Sequence, residues 1–454
     1  MPWVAAFETV QRPKILGAEI GAEYRFKPDF ALRKGCCSVM KSFYPANILI
    51  PQNADMTKWS VVACDQFTSE PNYWEETKKL AGSAPSTLNL IFPEIYLSDN
   101  PEKRIADINQ KMEEYKGIFK EYKNSFVYVR RTLANGKIRH GLIGEIDLED
   151  YRFEKGSSSN IRATEGTVLE RIPPRVKIRE NAPLEFPHIM VLIDDPEKTV
   201  IEPLESLYSK FEKLYDFELM QNGGKIEGYR LKEDYNNVIE NALERLSDKS
   251  VFENKYNVEN KPIITFAVGD GNHSLATAKT CWENIKKNLT PEEQKSHPAR
   301  FALVELVNLH DDSLEFEPIH RVMFDVDAND VYNSLLKFYP ETDSADGKQI
   351  TCIFNGHETV VRLKDDKNNL AVGTLQDFID DYLKLHSGRV DYIHGAEVVR
   401  KLSENDNSIG FLLPAMGKSE LFKTVILNGA LPRKTFSMGE ACDKRYYLEG
   451  KKIR

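Results

Sequence analysis

Six consecutive residues, Gly269-Asp270-Gly271-Asn272-His273-Ser274, put two glycines beside a carboxylate and an imidazole. Glycine lets the backbone come close to a ligand, and Asp270 and His273 could bind a metal or move a proton. An apolar, β-branched run, Pro262 to Val268, precedes the six, and an alanine-containing segment, Ser274 to Thr280, follows. That pattern predicts a strand, a tight turn and a helix start. The first amides of such a helix lack acceptors within it, and its dipole points its positive end the same way. An anion such as phosphate is therefore the natural occupant. The same spacing also serves an ordinary βα turn. It is not a dinucleotide fingerprint, because Ser274 stands at the third glycine, nor a P-loop, because the Lys-Ser/Thr pair is absent.

Other residues compete for chemistry. Arg162 and Glu165 lie after the loop Gly156-Ser157-Ser158-Ser159, with Arg171, Arg175 and Arg179 downstream. They read either as a solvated charged loop or as a carboxylate that activates a hydroxyl while guanidinium groups clamp phosphate oxygens. His320-Arg321 and Arg433-Lys434-Thr435 are basic pairs beside proline, expected at the surface or turned toward an anionic substrate. Asp325-Val326-Asp327 departs from an aspartate-nucleophile motif, since Asn329 replaces its threonine. His310-Asp311-Asp312 reads as a metal site or a satisfied surface cluster, and neither HExxH nor GxSxG occurs.

The elements that must position these residues follow from periodicity. Trp59 to Cys64 reads as a short strand, and Tyr73-Trp74 as a helix entrance. Residues 101–124 carry Ile105, Ile108, Met112 and Tyr115 at helical spacing. Phe126–Arg130 and Arg139–Ile146 read as paired strands joined at Asn135-Gly136, a strong hairpin signal. His188–Ile193 and Ala302–Leu309 read as buried strands, and 202–247 as a charged helical region broken at Asn222-Gly223-Gly224.

Four stretches are expected: an extension over 1–39, a mixed α/β part over 40–155, a core with the glycine turn over 156–324, and a smaller lobe over 325–454. The 454 residues carry 41% hydrophobic and 29% charged side chains, as a soluble globular protein does. A net charge of -9 argues against a general nucleic-acid binder. No apolar run approaches the ~20 residues that cross a membrane. Six scattered cysteines without a CxxC pair suit reduced thiols in the cytoplasm.

Taken together, the motifs resemble the uncharacterised bacterial family called domain of unknown function 1015. That family carries an Asp-Gly-His-His-Arg-like turn, an upstream Glu-x-Thr segment and a late Pro-x-Lys-Thr segment. Here they stand as Asp270-Gly271-Asn272-His273-Ser274, Glu165-Gly166-Thr167 and Pro432-Arg433-Lys434-Thr435. Trp59–Gln66, Leu314–Arg321 and Asp391–Gly395 add to the likeness, which runs from about Met40 to the C-terminus. More remotely, the turn is similar to that of the superfamily joining ParB-type CTP-binding domains, sulfiredoxin and free serine kinases.

The resemblance implies a mixed α/β (α+β) fold with a ParB/sulfiredoxin-like core and additional mixed lobes. It also implies a nucleotide, ATP or ADP with Mg2+, whose phosphates rest on the helix start at Gly271–Ser274. Glu165 would then be the base and His273 a phosphate-facing or acid group. Two departures stand out: Asn272 replaces a histidine, and Ser274 replaces the arginine that would grip phosphate. Lys279, Arg300 or Arg321 would have to substitute. No cysteine sits in the turn, which argues against a sulfiredoxin reaction.

The expectation is a phosphoryl-transfer enzyme acting on a small hydroxyl metabolite or its phosphate ester, with serine or phosphoserine first. Asp270 joins Glu165 and His273 as catalytic candidates. Gly269, Gly271, Asn272, Ser274, Arg162, Arg179, His320, Arg321, Lys434 and Thr435 are the candidate phosphate-binding residues. The alternative is a non-catalytic sensor of a nucleotide or phosphometabolite. Metal ligands and oligomeric state stay open.

Overall fold

The computed structural model describes residues 41–454 apart from 69, 98, 99 and 168. The expected extension over 1–39 lies outside the described residues.

Nine strands form the spine of the larger sheet: β1 (Val127–Thr132), β2 (Ile138–Asp147), β3 (Tyr151–Arg152), β4 (Ile161–Ala163), β5 (Met190–Ile193), β6 (Glu212–Glu218), β7 (Lys225–Arg230), β8 (Phe266–Asp270) and β9 (Phe301–Asn308). Their order is β6-β7-β1-β2-β9-β5-β8-β4-β3, and Phe43–Tyr44 pairs on β2. The middle strands are apolar on both faces because both faces are covered. Met190, Leu192, Ala267 and Val307 enter one core. Val191, Ile193, Phe266, Val268, Val304 and Leu306 enter the core on the other side. Alternation of side chains along each strand explains the division.

A second sheet contains β10 (Phe316–Phe324), β11 (Lys348–Phe354), β12 (His357–Leu363), β13 (Arg389–His394) and β14 (Ser408–Leu412) in the order β12-β11-β14-β10-β13. Helices Ala328–Phe338 and Ala371–Leu385 pack on it through Val331, Leu335, Leu375 and Ile379. The last residues then return to the first sheet's side. Lys451–Lys452 pairs with Leu184–Glu185, Gly450 with Leu49, and Tyr447 with Val61. The fold is thus mixed α/β, and Met40–Arg454 is one compact unit. Strands β2 and β9 pair across residue 155, from Val307↔Gly141 to Phe301↔Asp147.

The Asn135-Gly136 hairpin forms as expected, with Gly136 at φ 81°. Three other expectations are corrected. Trp59–Cys64 is not a strand: helix Met56–Trp59 ends there, and Val61 makes only an isolated bridge to Tyr447. Its apolar side chains fill a core against the returning C-terminus, where Trp59 donates from Nε1 to the Leu448 carbonyl at 3.0 Å. The region 202–247 holds the β6–β7 hairpin, with α-helix over Asn236–Leu246 and short 3-10 turns at Glu202–Ser206, Tyr208–Lys210 and Glu233–Tyr235. Asn222-Gly223-Gly224 is that hairpin's turn, and Tyr215 and Ile226 face the core. Helix Pro101–Tyr115 stops short of 124, and Phe119–Ser125 pairs as a strand with Ala46–Pro51. Among the described residues, no helix is long and apolar enough to cross a membrane.

Candidate functional site

Strands β4 and β8 are adjacent and parallel, with Phe266 opposite Ile161 and Val268 opposite Ala163. Parallel neighbours end on the same side, so the segments after them, Thr164-Glu165-Gly166 and Gly269-Asp270-Gly271, emerge together. Crevices at such strand ends are where open α/β sheets hold ligands. Thr164 locks the two ends: its hydroxyl donates to the Val268 carbonyl at 2.6 Å and lies 3.4 Å from Asn272 Nδ2. Its carbonyl accepts from Leu431 N at 2.7 Å, which lays the 431–435 segment beside Glu165.

Gly271 takes φ 81°, a left-handed conformation that lets strand turn straight into helix α2 (Asn272–Ile285). A Cβ there would lie 3.0 Å from Ile189 Cγ1, and one on Gly269 would lie 2.8 Å from Leu192 Cγ. No side chain caps α2. Asp270 Oδ1 accepts from Gly271 N at 2.8 Å instead, so the carboxylate stabilises the bend.

This turn opens on a cavity of about 590 Å³ lined by Glu165, Gly269 to Ser274, Arg433, Lys434 and Lys444. Further walls come from Cys64, Gln66, Leu90–Glu94, Pro187–His188, Tyr392 and His394. Helix α1 (Ile172–Arg179) and the residue before it contribute Arg171, Arg175 and Arg179, spaced four apart on one face. Six lining residues are Arg or Lys, against the carboxylates Glu94, Glu165, Glu185 and Asp270. An anionic chain thus presents a locally cationic cavity. Arg175 pairs with Glu94 at 3.2 Å, Arg179 with Glu185, and Lys444 with Asp270 at 3.5 Å. Burial, then the charges of Lys434 and Lys444, hold the His394 imidazolium below its usual range. Burial pushes the Cys64 thiol up to about 11, so it is not a ready nucleophile.

The structure brings together Glu165, Gly269, Asp270, Gly271, Asn272, His273, Ser274, Arg179 and Lys434. Four expected residues are not among its walls. Arg162 is buried, donating to the carbonyls of Ser159 at 2.8 Å, Pro262 at 2.8 Å and Ile263 at 3.0 Å, so it braces β4 rather than clamping phosphate. His320 sits inside β10, where its Nδ1 accepts from Leu413 N at 3.1 Å and burial lowers its pKa to about 4. Arg321 is fully buried and donates to the carbonyls of Ile319, Lys434 and Arg433, the last two at 3.0 and 2.9 Å. It shapes the loop that carries Lys434. Thr435 turns inward and donates to the Pro432 carbonyl at 2.6 Å.

The expected substitutes for a phosphate-gripping arginine are also committed elsewhere. Lys279 donates to the Leu148 carbonyl at 2.8 Å and pairs with Glu283 at 2.7 Å, and Arg300 pairs with Asp147 at 2.6 Å. His310 pairs with Asp194 at 2.6 Å, Asp311 with His140 at 2.9 Å and Asp312 with Lys198 at 3.0 Å, so each member has a partner elsewhere in the chain. Among the described residues, no group of three or more His, Cys, Asp or Glu could hold a metal.

Sequence reasoning missed Lys444, His188, Tyr392 and His394 as walls. Tyr392 and His394 lie on β13, His188 just before β5 and Lys444 near the C-terminus, so only the folded chain brings them to one cavity.

A family model described as protein of unknown function (DUF1015) matches residues 44–382. The match stops before Tyr392, Arg433 and Lys444. No curated protein matches the sequence. Among solved structures, a free serine kinase in complex with AMP is 10% identical over 68% of this chain and 91% of that chain, with TM-score 0.37. A variant of that kinase in complex with ADP is 10% identical over 70% and 93%, at 0.37. SbnI with a C-terminal truncation, from Staphylococcus aureus, is 10% identical over 65% and 83%, at 0.34.

Proposed function

The chain belongs to the DUF1015 family of proteins of unknown function, and we propose that it is a phosphoryl-transfer enzyme acting on a small hydroxyl metabolite or its phosphate ester. One observation carries the reading. The parallel pair β4–β8 delivers Glu165 and the uncapped start of α2 to a single cation-rich cavity. The helix start and the Lys434 ammonium offer a seat for phosphate oxygens. Glu165, held one residue beyond the Thr164 lock, takes the hydroxyl proton as that oxygen attacks the nucleotide's terminal phosphorus; the P–O bond to the nucleotide breaks, the shortened nucleotide leaves, and the reverse direction returns the proton. Such a base supplies about 10²–10⁴ in rate, and positioning with charge neutralisation supplies the rest. His273 stands at the first turn of α2 as the phosphate-facing group.

Serine with ATP or ADP, and phosphoserine with ADP, AMP or water, are the first substrates to assay. Magnesium usually reaches such sites on a nucleotide's phosphates with one or two carboxylates. Asp270 and Glu165 are the carboxylates at the turn that would hold it. Phosphate exchange between serine and nucleotide, lost in Glu165→Gln with binding kept, is the expected result. Folded protein that turns over none of these pairs overturns the enzymatic reading.

A second reading has its own observation. Ile319, Tyr392 and His394 of the second sheet share the cavity with the glycine turn of the first. A ligand there touches both sheets, as in a non-catalytic nucleotide or phosphometabolite sensor. Calorimetric binding without turnover selects it.

A further inference from the structure

We propose that Lys444 is the cation that grips the ligand's phosphate at the glycine turn, in the place that Ser274 leaves without an arginine. The inference rests on the phosphate reading of that turn and names the residue that decides its affinity. Its ligand class is a terminal phosphoryl group, whether at the end of a nucleotide's phosphate chain or on a small metabolite's hydroxyl.

Lys444 lines the cavity, and its ammonium lies 3.5 Å from Asp270 Oδ2, directly at the turn. Its side chain is largely shielded, 13% exposed, so its charge is weakly screened. Arg162, Arg321, Lys279 and Arg300 are committed to other partners, as described above. Lys434 reaches the same cavity from the 431–435 segment, and both ammonium charges act on His394. The two lysines thus line the same cavity.

The backbone under Lys444 is held by buried charge. Arg131, 1% exposed, donates from Nη1 to the Lys444 carbonyl at 2.6 Å and from Nη2 to the Cys442 carbonyl. Arg139 donates to the Asp443 carbonyl at 2.6 Å. Arg445 donates to the Ile189 carbonyl at 3.0 Å, and Ile189 is the residue beneath Gly271. Three guanidiniums thus fix consecutive residues on either side of Lys444 and tie them to the floor of the glycine turn. Buried arginines are costly to desolvate, and burial lowers Arg131 to about 10. That outlay fixes one lysine against one turn. Asp270 pairs with the ammonium. A phosphate carrying up to two charges competes with that single carboxylate, so binding exchanges one ion pair for a stronger one.

Isothermal titration of inorganic phosphate, phosphoserine and ADP into the full chain tests this, using wild type, Lys444→Gln, Lys444→Arg and Asp270→Asn. Lys198→Gln, at an exposed pair with Asp312 far along the sequence, is the control. Lys444→Gln should weaken whichever phosphate compound binds by about 10- to 100-fold. Lys444→Arg should stay within about threefold, Asp270→Asn should tighten binding, and Lys198→Gln should match wild type. Comparing phosphoserine with ADP shows which source supplies the phosphate. Wild-type affinity in Lys444→Gln overturns the inference and leaves the phosphate reading standing. No binding of any probe to folded wild type overturns both. Should Lys444→Gln not fold, the Asp270→Asn arm decides, and unchanged or weaker binding there is contrary.

Discussion

Thr164 donates its hydroxyl to the carbonyl of Val268 at 2.6 Å, across the ends of two parallel strands. Glu165 follows one residue and Gly269 the other, so a single buried hydroxyl sets the distance between a carboxylate and a helix start. Thr164→Val should cost about 1–3 kcal/mol, because the Val268 carbonyl is left buried without this donor. Thr164→Ser should retain most of the stability. Urea unfolding of the two variants measures the difference, and ligand affinity should fall with stability only in the valine variant.

Gly271→Ala should cost about 1–2 kcal/mol for the left-handed conformation alone, with further loss from contact with Ile189. The bend would shift to relieve that contact and carry the first amides of α2 out of line. A phosphate ester that raises the wild-type melting temperature should raise the variant's less, in thermal-shift measurements with and without ligand.

His320 makes stability depend on pH. Its folded pKa of about 4 lies below the 6.5 of the unfolded chain, because burial and then Arg321 disfavour the charged ring. The unfolded state therefore binds more protons between these values, and stability falls as pH drops from about 6.5 toward about 4. The contribution is about 3 kcal/mol, present above the unfolded value near pH 6.5 and lost toward pH 4. His320→Asn, whose side-chain oxygen can still accept from Leu413 N, should flatten this part of the pH–stability profile measured by urea denaturation.

Arg321→Lys should lower stability by about 2–4 kcal/mol, since one ammonium cannot serve the carbonyls of Ile319, Arg433 and Lys434 together. Lys434 stands in a left-handed conformation, φ 54°, that this guanidinium supports. Phosphate binding should weaken although Arg321 is not part of the cavity wall. Parallel urea and calorimetric titrations of Arg321→Lys check both effects.

The glycine turn was legible because its signals are local. Apolar residues before it, two glycines and an alanine-containing run after it agree on strand, bend and helix. The β1–β2 hairpin was legible through Asn135-Gly136 for the same reason. The β6–β7 hairpin was obscured by charge: Glu212, Lys213, Asp216 and Glu218 suggest a solvated helix, while Tyr215 shows its inward face only once Ile226 lies nearby. His320-Arg321 read as surface because charge usually is. Only the pairing of β10 with both β13 and β14 reveals that the pair is interior. Lys444 was invisible as a wall because its neighbours at Asp270 and Arg131 are far away in the chain.

Hydrogen exchange resolved to single amides, with and without phosphoserine or ADP, tests most directly whether the start of α2 seats a phosphate. The account predicts ligand-dependent protection concentrated at Asn272, His273 and Ser274, with a weaker effect around Glu165 and Lys444. Binding that leaves those three amides unprotected, or protects a different part of the chain, would contradict it.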